Sequence, residues 1–96
     1  MRRLAAKVDA NQQPIVDALR AAGCSVTILS APGVPDLLVG RAGATYLLEV
    51  KKETGPRGGG GGMLTKDQLL WWATWQGHAM LVRNPQEALE AVGLSG

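Results

Sequence analysis

The stretch 34–52, Val-Pro-Asp-Leu-Leu-Val-Gly-Arg-Ala-Gly-Ala-Thr-Tyr-Leu-Leu-Glu-Val-Lys-Lys, leaves the chain the fewest choices. Two apolar runs separated by turn residues predict a β-hairpin. With the turn centred between Ala42 and Gly43, paired positions keep a constant sum. Gly40 then faces Thr45, Leu38 faces Leu47 and Asp36 faces Glu49. Directly opposed residues project to the same face, with Cβ atoms about 4.5–5.5 Å apart, and the period of two adds Lys51 to that face while turning Val50 towards a core. An Asp directly opposite a Glu destabilises a sheet unless a cation compensates. One candidate is a hard divalent ion such as Mg²⁺, which takes carboxylate and carbonyl oxygens. Lys51 would then act on metal-bound water or on charge building on a phosphate. The other candidate is Lys51 alone, neutralising one carboxylate on a solvated edge. The hairpin by itself does not choose between them.

The flanking segments supply the rest of a small domain. Between Asn11 and Ala22 the residues Ile15, Val16, Leu19 and Ala22 fall at helical spacing, with Pro14 in the first turn and Gly23 as the stop. Ser25 to Ser30 predicts a strand, broken by Ala31-Pro32-Gly33-Val34-Pro35, and Pro35 suits the first position of the next strand. The segment 54–63, with glycine at every position from 58 to 62, predicts a flexible loop: a plain linker, or a segment lying over a bound strand. It lacks the Gly-Lys-Ser/Thr ending of a P-loop.

Thr65-Lys66-Asp67-Gln68 has the form of a capping box, which alone would explain Gln68. The helix it opens is expected to run through Gln76 to a stop at Gly77, with Gln68, Trp72 and Trp75 on one face. In a chain without Phe, its three tryptophans are expected to anchor the core or a subunit interface, stacking on an unpaired base being the other use. Ala79-Met80-Leu81-Val82 predicts a last buried strand, and Asn84-Pro85 a closing helix with Ala88, Leu89 and Val92 inward. The predicted order is helix, three strands, helix, strand, helix: an α/β domain with a small mixed sheet flanked by helices.

Composition sets bounds on this picture. Ninety-six residues allow one domain, 1–96, burying roughly 60–65% of its unfolded surface, so a partner subunit would help a modest core. A net charge of +2 permits nucleic-acid binding without requiring it. The basic arm 1–9, with Arg2, Arg3 and Lys7, is either solvated or reaches a phosphate backbone. Cys24 stands alone, which excludes an internal disulfide framework, and it is expected as a small buried hydrophobe. No signal-like or membrane-spanning stretch is present, so a reducing cytoplasm is the expected compartment and no membrane is expected as partner. His78 has no second His or Cys near it in sequence to build a zinc site.

Pro35-Asp36, twelve intervening residues and then Glu49-Val50-Lys51 resemble the PD-(D/E)xK nuclease signature. The setting, with Gln68 opening the second helix, is similar to the small stand-alone VRR-NUC branch found in phages and bacteria, over about Ala10 to Gly93. The resemblance implies a restriction-endonuclease-like αβββαβ core. It implies metal ligation by Asp36, Glu49 and the Val50 carbonyl, a catalytic Lys51 that assists the attacking water, and Gln68 beside the site. Where such relatives commonly carry a glutamate on the first helix, this chain has Asn11, Gln12 and Gln13, which leaves the number of metals open.

The leading expectation is therefore a Mg²⁺-dependent DNA endonuclease, with Mn²⁺ able to substitute, acting as a homodimer on branched DNA such as four-way junctions. Arg57, Lys66 and Lys52 are the expected DNA contacts. If phage-encoded, it would work in the bacterial host cytoplasm. Two other classes remain: a catalytically silent nucleic-acid-binding or assembly module of the same fold, and a protein-interaction domain using its tryptophan helix.

Overall fold

The computed structural model describes residues 11–52 and 64–94. The basic arm, Arg57 and the glycine-rich segment lie outside the described residues. The elements follow in the expected order: α1 (Gln12–Ala21), β1 (Ser25–Ile28), β2 (Leu37–Arg41), β3 (Ala44–Val50), α2 (Lys66–Thr74), β4 (Ala79–Val82) and α3 (Pro85–Ala91). The strands form one sheet in the order β1-β2-β3-β4, antiparallel except for the parallel β3–β4 pair. A parallel neighbour cannot be reached by a tight turn, and α2 lies in the crossover that reaches it.

The β2–β3 register pairs Leu38 with Leu47 and Gly40 with Thr45, as the constant-sum rule requires. Its turn is Ala42-Gly43, both at positive φ (52° and 82°), the twist a two-residue hairpin demands. The far end of the hairpin is locked by packing. Leu37, Val39, Leu48 and Val50 are buried, with Val82 of β4, against Ile15, Val16 and Leu19 of α1 and Ala88 and Val92 at α3. Each side chain of this size gains about 1.5–3 kcal/mol from burial. A one-residue slip of β3 would put Glu49 and Lys51 into that core, so the register is strongly held.

α1 and α3 thus cover one face, and α2 lies over the other, where Glu49 and Lys51 project towards Gln68. Cys24 is buried as expected, at 6% exposure. His78 is exposed and stacks on Tyr46 at 5.6 Å. No helix among the described residues is long and apolar enough to cross a membrane.

Several expectations need correction. β2 begins at Leu37 and not at Pro35, and β4 is an edge strand with Met80 46% exposed, not a buried one. β1 stops at Ile28, two residues before Ser30, and Leu29 continues only as a single N–H donated to the Asp36 carbonyl at 2.8 Å. α2 stops at Thr74 because Trp75 takes an extended conformation (φ −74°, ψ 134°) and its indole N–H donates to the His78 carbonyl at 3.3 Å. Gly77 therefore acts through its size: a Cβ there would lie 2.7 Å from the Trp75 ring. Of the two places expected for the tryptophans, core or subunit interface, the core is ruled out. α2 has no fully buried residue, and Trp75 is 43% exposed while stacking on Trp71 at 4.9 Å.

Candidate active site

Asp36 sits immediately before β2, opposite Glu49 in the continued register, with its backbone carbonyl held by Leu29. One side-chain oxygen, Oδ2, accepts the Val50 N–H at 2.8 Å. Glu49 is in β3 between Leu48 and Val50, both core residues, so its side chain is committed to the opposite face. It is only 2% exposed. Lys51 follows one step past the strand, its N–H donated to the Val82 carbonyl at 3.0 Å and its Nζ 3.7 Å from Glu49 Oε2.

Gln68 joins these groups through both ends of one amide. Its Oε1 accepts from the Thr65 backbone N–H at 2.9 Å and from Lys51 Nζ at 2.9 Å, and its Nε2 donates to Glu49 Oε2 at 2.8 Å. Thr65 Oγ1 returns the cap by accepting from the Gln68 N–H at 3.2 Å. Because the Thr65 N–H can only donate, the amide cannot be turned over without opposing two donors, and Nε2 is thereby directed at Glu49. The capping function and the site function of Gln68 are parts of one network.

The electrostatics are those of a buried acid crowded by a second carboxylate. Burial first, and the neighbouring Asp36 carboxylate second, push the Glu49 pKa from 4.5 up to about 7 against the opposing pull of Lys51. Its second oxygen, Oε1, is buried with no hydrogen-bond partner. A buried carboxylate oxygen beside a second carboxylate is accommodated either by a proton or by a cation. The Val50 carbonyl adds a donor on the same edge, since in a strand it points to the side of its own N–H, which meets Asp36.

Among the described residues no three His, Cys, Asp or Glu side chains gather where one ion could bridge them. Asp36 and Glu49 are fewer ligands than a closed site supplies, and a cation held there would be one that takes one or two carboxylates and completes its shell with water and phosphate oxygens, as Mg²⁺ does. The two carboxylates do not suit the closed set of a structural zinc.

Asp36, Glu49, Val50, Lys51 and Gln68 are thus brought together. Lys66 is exposed in the first turn of α2, and Lys52 is exposed just past β3. Asn11 is the residue the sequence did not single out for what it does. Its Nδ2 donates to the Lys51 carbonyl at 2.8 Å and the Arg83 carbonyl at 3.1 Å, partners 40 and 72 positions away that no local pattern reveals. Comparison with known proteins finds no matching family model, no matching curated protein and no matching solved structure.

Proposed function

We propose that the protein is a metal-dependent DNA endonuclease that hydrolyses phosphodiester bonds. The observation carrying this is the pair of carboxylates, Asp36 just before β2 and Glu49 in β3, one with a buried unpartnered oxygen, beside a lysine held by a glutamine. Asp36, Glu49 and the Val50 carbonyl would hold Mg²⁺, or Mn²⁺ in its place. When bound, such an ion polarises a phosphoryl oxygen and lowers the pKa of water. Lys51 would bring its Nζ to the attacked phosphate, where it would orient the attacking water or offset developing charge. Gln68 fixes both the Lys51 ammonium and the Glu49 carboxylate, so that neither reorganises as the reaction proceeds. Lys52 and Lys66, with Arg57, are the proposed phosphate contacts. Strand order β1-β2-β3-β4 with a single parallel pair, preceded by α1 and bridged by α2, supports a restriction-endonuclease-like core.

The substrate we favour is branched DNA, cut by a homodimer in a bacterial cytoplasm. A specific feature keeps a catalytically silent DNA-binding module as second reading: no carboxylate opens α1, where Asn11 spends its amide on carbonyls and Gln12 is buried.

The test is to incubate labelled duplex, single strand, flap and four-way junction with the protein in Mg²⁺, Mn²⁺ or chelator. The expected result is cleavage that chelator stops. Asp36→Asn and Glu49→Gln should each slow it by roughly two to four decades, the equivalent of roughly 3–5 kcal/mol of transition-state stabilisation. Circular dichroism should show both variants folded. Full activity in either variant removes the metal-site assignment, and salt-sensitive binding without product selects the silent module.

A further inference from the structure

We propose that Asn11 is a positioning residue for Lys51. Lys51 is the first residue past β3, the place where a strand end frays unless its backbone is held. Here both of its backbone groups are held: the N–H by the Val82 carbonyl at 3.0 Å, and the C=O by Asn11 Nδ2 at 2.8 Å. The same Nδ2 takes the Arg83 carbonyl at 3.1 Å, so one amide gathers the ends of β3 and β4 at the start of α1.

Asn11 gives up two things to do this. It occupies the N-cap of α1, where an asparagine ordinarily accepts a backbone N–H of the first turn, yet its side chain makes no such bond. Its Oδ1 is left buried with no hydrogen-bond partner. Both facing groups are carbonyls, so turning the amide over would set oxygen against oxygen. The clamp therefore fixes the point from which the Lys51 side chain departs, and with it the reach of Nζ to Gln68 Oε1 at 2.9 Å and to Glu49 at 3.7 Å. This inference rests on the nuclease reading for what Lys51 does, and on the hydrogen bonds alone for where Lys51 points.

Two arms test it, using the full chain and the variants Asn11→Ala and Asn11→Asp, the second keeping size while losing both donors. The first arm needs no activity: lysines are acetylated under limiting reagent well below the melting temperature and quantified by mass spectrometry, with Lys66 as internal reference. Lys51, whose side chain is only 11% exposed, should react at least roughly threefold faster in both variants while Lys66 does not change. Equal labelling of Lys51 in variant and parent, or equal acceleration at Lys51 and Lys66, overturns the proposal, the latter because it marks general loosening. The second arm is junction cleavage in Mg²⁺, where kcat should fall roughly tenfold with KM within about twofold. A rise in KM with kcat unchanged also overturns it. If the parent protein does not cleave at all, the nuclease reading fails while the labelling arm still decides Asn11. Should Asn11→Ala fail to fold, Asn11→Asp carries both arms.

Discussion

Between about pH 4.5 and pH 7, Glu49 keeps a proton in the folded chain that it would release when unfolded, because burial and Asp36 raise its pKa from 4.5 to about 7. A raised folded pKa means stability that is fully present below about pH 4.5 and lost as pH climbs through about 7. The metal-free protein is therefore expected to melt at a lower temperature at pH 8 than at pH 5, and Glu49→Gln, which has no proton to lose, should flatten that decline. Mg²⁺ must displace the same proton, so the melting temperature it adds should be larger at pH 8 than at pH 5. Thermal melts of both proteins at the two pH values, with and without Mg²⁺, check each part. A parent melting curve independent of pH would mean that Glu49 is not the buried acid described.

At the scale of the element, the turn of the hairpin stores a correctable strain. Ala42 is exposed and sits at φ 52°, a left-handed conformation that costs a residue with a Cβ roughly 1–2 kcal/mol. Ala42→Asn, which tolerates that conformation and precedes Gly43, should stabilise the protein by roughly 0.5–1 kcal/mol, a rise of roughly 2–8 °C in melting temperature, with cleavage unchanged. The hairpin was the most legible part of the chain: strand alternation and a two-residue turn fix which residues oppose, and the β2–β3 pairing follows that register pair by pair. The α2 capping box was legible too, since both halves of it are local. The end of α2 was not. Its helical spacing continues past Thr74, but Trp75 gains a ring stack on Trp71 and a bond to the His78 carbonyl by leaving the helix, and tertiary contacts of that kind override propensity. Asn11 was illegible for another reason, its partners being brought near only once the sheet is complete.

For the whole molecule, the sheet face under α2 and the outside of α2 remain greasier than a solitary domain requires. Leu69 and Leu70 are 55% and 63% exposed, and Leu38 on that sheet face is 36% exposed. A small core completed by a second copy is the expected outcome, and a two-fold pair of sites would match the symmetry of a four-way junction. Light scattering across a concentration series should give a dimer, Leu70→Asp should shift it towards monomer, and a junction should be cut in preference to a duplex with the same arms. A persistent monomer cutting both equally would remove the resolvase assignment and leave the endonuclease one standing.

All three tryptophans of the chain fall within 71–75, on or at the end of the one helix whose capping glutamine touches both Glu49 and Lys51. Two of them are stacked and the third meets Trp71 edge-on at 5.7 Å. Ultraviolet emission from this protein is consequently the signal of one helix and its C-terminal cap, with Tyr46 the lone tyrosine beside them. Whatever draws Gln68 away from its carboxylate acts on the helix that carries two of the tryptophans and ends at the third, one and two turns before them.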